Sequence, residues 1–258
     1  MVKQFFENRH GQKICVITDV TENQKGLVFV MHGLGGFKEQ GHMQTFTQAF
    51  KEDGFTTVLF DAANTFGESE GNYENATTTN YYEDLCDVIE WSKSQEFYQE
   101  PFWLIGHSLG GISTALYAEN FPERVKAVAP ISTVVSGKLS FGIEARKKIN
   151  ENWKETGWIE KASASKPGVI KRLPWSHMED RLKHDLLEKV DQLTMPILLI
   201  VGSEDEGTPP KHQKILFDAI PTENKELHVI EGAEHTFREE EHLKEIKQII
   251  KSWIEKYN

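Results

Sequence analysis

One stretch decides the fold of this chain: Phe102-Trp103-Leu104-Ile105-Gly106-His107-Ser108-Leu109-Gly110-Gly111. An apolar run leads into Gly-x-Ser-x-Gly, and a helical pattern follows over residues 112–118. A short apolar run bounded by turn residues is typical of a buried parallel strand. Gly106 and Gly110 lack a Cβ, so a strand and a helix can approach closely around the residue between them. The stretch therefore predicts a strand, a sharp turn and a helix, with the Ser108 hydroxyl exposed at the tip of the turn.

This context predicts that Ser108 is the nucleophile of a serine hydrolase. The helix behind the turn would direct free N–H groups and the positive end of its dipole toward an anion formed there. Gly-x-Ser-x-Gly also occurs in ordinary glycine-rich turns, but the preceding strand, the following helix and a third glycine, Gly111, favour a nucleophile elbow. The arrangement resembles the α/β-hydrolase superfamily, and the resemblance extends over nearly the whole chain.

Length and composition narrow the functional classes. The chain has 258 residues, enough for one large domain with a sizeable core. Its formal charge of −11 argues against a nucleic-acid partner, since phosphates are bound by clustered Lys and Arg. Cys15 and Cys86 give neither a disulfide framework nor a metal-ligand spacing, which indicates free thiols in a reducing compartment. Without a signal-peptide core or a window apolar enough to span a bilayer, a cytoplasmic protein that does not enter a membrane is expected.

The other apolar runs and helical patterns predict an α/β protein. Strands are predicted at residues 5–6, 13–20, 26–31, 56–61, 125–130, 197–202 and 225–230, and helices at 44–53, 81–91 and 239–257. The turn residues at 8–11 predict that the first two strands form a hairpin. Together with the resemblance, this order implies an α/β-hydrolase fold, in which a mostly parallel central sheet is flanked by helices and carries an inserted cap.

A glycine-rich loop, His32-Gly33-Leu34-Gly35-Gly36, follows the strand at 26–31. Such a loop at the carboxyl end of a parallel strand is where an α/β fold places its site. In the family that the chain resembles, the residue after His-Gly lends its backbone N–H to the oxyanion hole, which implies Leu34 as one donor. The second implied donor is the N–H of Leu109, directly after the nucleophile. An ordinary strand-to-helix turn is the alternative, and His32 is interpreted as a structural histidine that braces the loop.

The remaining members of a triad are implied by the chain order Ser, Asp, His, which this fold uses. Asp205 follows the predicted penultimate strand and precedes a helix that begins with proline, as the triad acid of the family does. Glu204 and Glu206 stay as alternatives for the acid. His235 lies in a short loop between the last strand and the closing helix, and it is the implied base.

A cap is predicted from the spacing of the strands. About 60 residues separate the strand at 125–130 from the strand at 197–202, too many for a plain crossover. We therefore predict a core at residues 1–132 and 191–258 and an inserted cap at 133–190. Helical patterns occur near 143–153 and 178–190. Between them, short apolar pieces flank Ser165-Lys166-Pro167-Gly168, which indicates a small hairpin.

The predicted cap is basic and contains three tryptophans. Twelve Lys or Arg against eight Asp or Glu give it a net charge of about +4, which leaves about −15 for the rest of the chain. A basic cap could attract anionic substrates, although charge complementarity between cap and body is the favoured interpretation. Trp153, Trp158 and Trp175 are predicted to wall the substrate pocket, and packing inside the cap is the alternative.

These residues predict a serine carboxylic-ester hydrolase that acts on small to medium acyl or aryl esters through Ser108, His235 and Asp205. The chemistry needs no cofactor and no metal. The partner expected is a small-molecule ester, with no nucleic acid and no membrane, and a homodimer is left open. The alternatives are a peptidase or acyl-peptide hydrolase, a thioesterase on the same fold, and a non-catalytic binding protein.

Two groups within the superfamily are the most similar in their motifs. Some small esterases, including the cinnamoyl (feruloyl) esterases, carry a short cap at the same point of the chain. The loop at 66–71 resembles one that follows the equivalent strand in hydrolases of the serine aminopeptidase and monoglyceride lipase type. Ser69 in that loop lacks a preceding apolar strand, so we interpret it as part of the loop structure rather than as a nucleophile.

Overall fold

A central sheet organises this computed structural model, which describes residues 1–163, 166 and 168–258. The strands are β1 (Val2–Glu7), β2 (Lys13–Asp19), β3 (Gly26–Met31), β4 (Phe55–Phe60), β5 (Phe102–His107), β6 (Val125–Ile131), β7 (Trp158–Ala162), β8 (Ile170–Pro174), β9 (Ile197–Gly202) and β10 (Lys225–Ile230). Within the described residues, eight of them form one sheet in the order β1-β2-β4-β3-β5-β6-β9-β10. Only the pairs β1–β2 and β2–β4 are antiparallel in that sheet. The predicted α/β fold with a mostly parallel sheet is confirmed.

Helices cover both faces of the sheet. They are α1 (Gly41–Glu52), α2 (Thr78–Ser92), α3 (Leu109–Asn120), α4 (Gly137–Phe141), α5 (Lys147–Thr156), α6 (Ser176–Arg181), α7 (Pro210–Ala219) and α8 (Glu240–Tyr257). All six residues of β3 are buried, because alternate side chains enter a different core on each face. Phe29 packs with residues of α2 and α3, whereas Val28 packs with residues of α1 and α8. Within the described ranges, no helix has the length and apolar character needed to cross a bilayer.

The helix boundaries differ from the predicted ones where capping or pairing decides them. The α2 helix begins at Thr78, three residues before the predicted start, because the Thr77 hydroxyl accepts the Asn80 N–H and caps it. The helix predicted at 178–190 is wrong, since α6 ends at Arg181. Beyond Arg181, the backbone pairs with residues 135–137 instead. The Gly137 N–H donates to the His184 carbonyl, and the Leu186 N–H donates to the Val135 carbonyl.

The segment between β6 and β9, residues 132–196, is called the cap segment below. Its two ends are joined by backbone hydrogen bonds of 2.9 Å, from Gly137 N to His184 O and from Leu186 N to Val135 O. Strands β7 and β8 form an antiparallel hairpin in its middle, as predicted. Ser165 and Pro167 of the predicted turn lie outside the described residues. The division into a core at 1–132 and 191–258 and a cap at 133–190 stays a prediction.

Candidate active site

The turn between β5 and α3 holds Ser108 in a strained conformation, with φ of 56° and ψ of −111°. The flanking glycines are required by close contacts rather than by flexibility. A Cβ on Gly106 would lie 2.3 Å from the Gly110 carbonyl oxygen, and one on Gly110 would lie 2.5 Å from the His32 carbonyl oxygen. Side chains there would force the helix away from the sheet. The sharp turn predicted around Ser108 is therefore present in the structure.

A continuous chain of hydrogen bonds runs from Ser108 to Asp205. The Nε2 atom of His235 lies 2.9 Å from Ser108 Oγ, and its Nδ1 atom lies 2.7 Å from Asp205 Oδ2. Because an ionised carboxylate can only accept, Nδ1 carries the proton and Nε2 is free to accept the serine proton. Asp205 follows β9 and His235 follows β10, so the carboxyl ends of neighbouring parallel strands bring these side chains to Ser108.

The Asp205 carboxylate is buried and fully hydrogen-bonded. Besides His235, it accepts the backbone N–H groups of Gly207 and Thr208 and the Thr208 hydroxyl, each at 2.8 Å. Burial alone would raise its pKa, but the hydrogen bond from His235 and those from Thr208 hold the pKa of Asp205 well below its usual range. Glu204 and Glu206, the alternatives for the acid, are exposed and do not contact His235. The structure thus brings Asp205, and neither glutamate, to the imidazole.

The loop after β3 runs beside Ser108. Gly33 packs so closely against the serine that a Cβ on it would lie 2.9 Å from Ser108 Cβ. The Gly36 N–H donates to the Gly33 carbonyl at 2.9 Å, and the Gly35 N–H donates to the hydroxyl of Tyr81 at 3.3 Å.

Two backbone N–H groups lie beside the serine, on Leu34 and Leu109. Among the described residues, the N–H groups of Leu34 and Leu109 have no acceptor. Both amides are therefore available to an oxyanion, and their roles as donors stay predictions.

His32 braces this loop, as interpreted from the sequence. Its Nε2 atom accepts the Ala62 N–H at 3.0 Å, so Nδ1 carries the proton and donates to the Gly33 carbonyl at 2.8 Å. Complete burial lowers its pKa, which keeps the ring neutral. Both ring nitrogens are therefore occupied by structural contacts, and His32 is not placed to act as a base.

An ion cluster made of buried Lys38 and Asp61 and exposed Glu68 connects the loops after β3 and β4. Lys38 Nζ lies 2.6 Å from Asp61 Oδ2 and 2.8 Å from Glu68 Oε1. The neighbouring Ser69 hydroxyl donates to the Asp61 carbonyl at 2.6 Å and accepts the Cys15 N–H at 2.8 Å. Both contacts of the Ser69 hydroxyl are with backbone groups, so Ser69 joins the loop to β2, in agreement with its interpretation as loop structure.

His107 contacts the candidate base in a way that the sequence motif does not reveal. Its Nε2–H donates to the His235 carbonyl at 2.7 Å, and the two rings lie 4.7 Å apart. On its other side, the His107 ring packs 4.5 Å from that of His42. Burial lowers the pKa of His107 well below its usual value, so the ring stays neutral. Its position in Gly-x-Ser-x-Gly gives no signal of this contact, because the partner is 128 residues away.

A cleft of about 1320 Å³ opens above Ser108. The core supplies its floor through the loops after β3, β9 and β10, and the cap segment supplies residues 143–146 and parts of the β7–β8 hairpin. Such a volume is sufficient for a drug-sized ligand. No cluster of three or more His, Cys, Asp or Glu among the described residues is arranged to hold a metal ion.

The structure does not bring the three cap tryptophans to this cleft. Trp153 and Trp175 pack edge to face, 5.6 Å apart, in a small core of the cap segment. The Trp153 indole N–H donates to the Leu173 carbonyl at 3.2 Å. Trp158 lies on the outer face of the hairpin, 37% exposed, with the Arg172 guanidinium 3.9 Å above its ring. The alternation of the hairpin directs Trp158 outward, and Trp153 and Trp175 pack in the interior of the cap segment. Their predicted place in the wall of the substrate pocket is therefore corrected.

Comparison with known proteins agrees with this geometry. The profile of the family described as serine aminopeptidase, S33, matches residues 22–169 and 159–242. The chain belongs to this family. The resemblance to α/β-hydrolases stated from the sequence is thereby confirmed.

This S33-family chain is similar to proteins from bacteria and mammals. An Escherichia coli protein, the uncharacterized 31.7 kDa protein in the traX-finO intergenic region, is 27% identical over 78% of this chain and 80% of its own length. The mitochondrial palmitoyl-protein thioesterase ABHD10 of Mus musculus is 25% identical over 73% of this chain and 62% of its own length. The structure of Est1E from Butyrivibrio proteoclasticus with ferulic acid bound superposes with a TM-score of 0.80, at 21% identity and 98% coverage of each chain. The family and these relatives support a hydrolase of the α/β-hydrolase type.

Proposed function

We propose that this chain is a serine carboxylic-ester hydrolase that acts through Ser108, His235 and Asp205 on small to medium acyl or aryl esters. The observation that carries the proposal is the unbroken hydrogen-bond chain, 2.9 Å from Ser108 Oγ to His235 Nε2 and 2.7 Å from His235 Nδ1 to Asp205 Oδ2. A serine hydroxyl is too weak an acid to attack an ester unaided, and a neutral imidazole at this distance can take its proton.

The reaction follows from these positions. Ser108 Oγ forms a bond to the ester carbonyl carbon while its proton passes to His235 Nε2. The carbonyl oxygen becomes an oxyanion, which the N–H groups of Leu34 and Leu109 would stabilise by about 3 kcal/mol per donor. When the C–O bond to the alcohol breaks, His235 returns the proton to the leaving oxygen. Water, activated by the same imidazole, then releases the acid from the acyl-enzyme.

Asp205 has an electrostatic role in this scheme. Its pKa is held low, so it stays ionised beside the imidazolium that forms during each proton transfer. The bond to Nδ1 also fixes the tautomer in which Nε2 faces the serine. His107 supports the arrangement from behind, because its bond to the His235 carbonyl holds the loop that carries the base.

Covalent labelling tests the nucleophile. A serine-directed fluorophosphonate is expected to label the wild-type protein at Ser108, as located by mass spectrometry of tryptic peptides, and to leave Ser108→Ala unlabelled. Ser69→Ala is the matched control, because it removes another serine of a glycine-rich loop, and it is expected to label normally. Equal labelling of Ser108→Ala and the wild type would rule out the assignment.

A substrate panel tests the reaction class. 4-Nitrophenyl esters of rising acyl length, methyl ferulate, an aminoacyl anilide and a palmitoyl thioester separate an esterase from a peptidase and a thioesterase. A thioesterase is the second candidate, favoured by the similarity to ABHD10. Preferential cleavage of the oxygen esters supports the proposal, whereas a higher kcat/KM for the anilide or the thioester would replace it.

A further inference from the structure

The inner face of the cap hairpin carries two lysines that repel each other. In the antiparallel register of β7 and β8, Lys161 lies directly opposite Lys171. Residues directly opposite in an antiparallel pair project from the same face, and like charges in such a pair are destabilising. Consistent with this contact, burial and then the charge of Lys161 lower the pKa of Lys171. Both residues line the cleft above Ser108.

The outer face of the same hairpin is arranged differently. There Glu160 lies opposite Arg172, and their charged groups are 3.3 Å apart. Arg172 has a second carboxylate, Glu74, at 3.9 Å. Among the described residues, neither Lys161 nor Lys171 has a carboxylate partner or a hydrogen-bond acceptor. Charges are therefore paired where the hairpin faces solvent and left unpaired where it faces the cleft.

Lys171 reaches the loop that carries the candidate oxyanion donor. A Cβ on Gly35 would lie 3.1 Å from Lys171 Nζ, and Gly35 directly follows Leu34. The ammonium group rests on two stacked rings, 5.6 Å from the centroid of Phe66 and 5.9 Å from that of Tyr73. These rings hold the charge in place without neutralising it.

Three glutamates of the cleft lining lie on the opposite side of the nucleophile from Lys171, and a fourth, Glu144, lies in the cap segment. Glu204 and Glu206 follow β9 and Glu234 follows β10, whereas Gly35 follows β3. In the sheet, β3 and β9 lie on different sides of β5, which is followed directly by Ser108. An anion beside Lys171 is therefore separated from the three carboxylates after β9 and β10 by the width of the catalytic centre.

We propose that Lys161 and Lys171 bind an anionic group, such as a carboxylate, carried by the ester substrate. The bound anion would relieve the repulsion between the two ammonium groups while the ester reaches Ser108. This assignment rests on the proposed esterase function and adds the substrate class to it. The anion can belong to the acyl part or to the alcohol part of the ester, and the chemistry of recognition is the same.

Matched substrates test the proposal. For the acyl part, 4-nitrophenyl hydrogen adipate is compared with methyl 4-nitrophenyl adipate. For the alcohol part, 4-acetoxybenzoate is compared with methyl 4-acetoxybenzoate. The wild type is expected to prefer the anionic member of at least one pair by tenfold or more in kcat/KM, and 0.5 M NaCl should reduce this preference because exposed charges are screened.

Variants connect the preference to the lysines. Lys171→Met keeps the length of the side chain, and it should lower the anionic-to-neutral ratio of kcat/KM at least tenfold. Lys154→Met, an exposed change of equal charge on α5, should leave the ratio unaltered. If circular dichroism shows that Lys171→Met is not folded, Lys161→Met is measured instead. It should likewise lower the anionic-to-neutral ratio of kcat/KM at least tenfold.

The outcomes separate this inference from the function on which it rests. Labelling of Ser108 and turnover of the neutral esters, with no anionic preference in either pair, would overturn the anion site alone. A ratio that falls equally in Lys171→Met and Lys154→Met would overturn it as well, since it would reflect net charge. Absence of both labelling and ester turnover would overturn the esterase and the anion site together.

Discussion

Replacing Asp205 by asparagine changes one atom of the candidate triad and should nearly abolish activity. The amide oxygen of the variant can still accept the N–H groups of Gly207 and Thr208, so the loop after β9 is expected to keep its shape. The amide nitrogen then faces His235 Nδ1, which lay 2.7 Å from the carboxylate oxygen. Since that nitrogen can only donate, Nδ1 must accept, and the proton moves to Nε2. The imidazole then has no lone pair for the Ser108 proton.

The size of the effect follows from the same contact. In the wild type, the imidazolium formed during attack stands beside an ionised Asp205 that is 2% exposed. Two unit charges about 4 Å apart interact by about 4 kcal/mol at an effective dielectric constant of about 20. Each 1.36 kcal/mol is tenfold in rate, so the charge alone is worth about 10³ in kcat. The unfavourable tautomer adds to this loss, and we expect a total of about 10³ to 10⁴.

The assay is kcat/KM for 4-nitrophenyl acetate, with the melting temperature as a measure of folding. Glu204→Gln and Glu206→Gln are matched controls, because each neutralises an adjacent carboxylate that does not contact His235. Both are expected to stay within about threefold of the wild type, as exposed charges are well screened. A folded Asp205→Asn variant with activity within tenfold of the wild type would refute the reasoning, and loss of activity in one of the glutamine variants would identify the acid instead.

Three further predictions concern positioning and stability. His107→Phe removes the N–H that donates to the His235 carbonyl. Steady-state kinetics should show kcat reduced about tenfold with KM little changed, because one hydrogen bond is worth about 1.4 kcal/mol. An equal rise in KM would argue for a role in substrate binding. Gly33→Ala places a methyl group 2.9 Å from Ser108 Cβ, so fluorophosphonate labelling should slow by about 10² or more, and labelling at the wild-type rate would contradict this contact. Burial raises the pKa of Glu119 in the folded protein to about 8. The carboxyl therefore ionises at lower pH in the unfolded state than in the folded state. The free energy of unfolding should fall as pH rises from about 4.5 to 8, by up to about 1.4 kcal/mol per pH unit. Glu119→Gln should therefore raise the melting temperature more at pH 8 than at pH 5, and an equal change at both would show that Glu119 does not titrate there.

The fold was predictable because the central strands β3, β4, β5 and β9 are buried on both faces and therefore read as continuous apolar runs. The run before Ser108 and the glycines around it determine the strand, the turn and the helix by local sterics. Asp205 was the favoured acid because strand order limits which loops reach the nucleophile. Its choice over two neighbouring glutamates depends on which side chain turns inward, and that direction is a property of the folded loop.

The cap could not be predicted in the same detail. The apolar spacing near 178–190 favours a helix, but tertiary backbone pairing with Val135 and Gly137 prevents it beyond Arg181. Trp153 and Trp175 form the interior of the cap segment, and sequence alone cannot distinguish this from a pocket wall. The contacts of His107 with His235 and of Lys171 with the loop at Gly35 join parts of the chain that are far apart in sequence, so no local pattern reports them.

The joined ends of the cap segment have a consequence for engineering. Backbone bonds between residues 135–137 and 184–186 bring the chain back beside its point of departure before the sheet resumes at β9. A foreign polypeptide whose termini lie about 5 Å apart, the spacing of paired strands, could therefore be grafted between Gly137 and His184 without opening the sheet. In such a chimaera the fluorophosphonate should still modify Ser108, whereas the ranking of esters should follow the donor of the graft. Loss of labelling in a folded chimaera would show that the rest of the chain cannot keep Ser108 reactive when the cap segment is replaced.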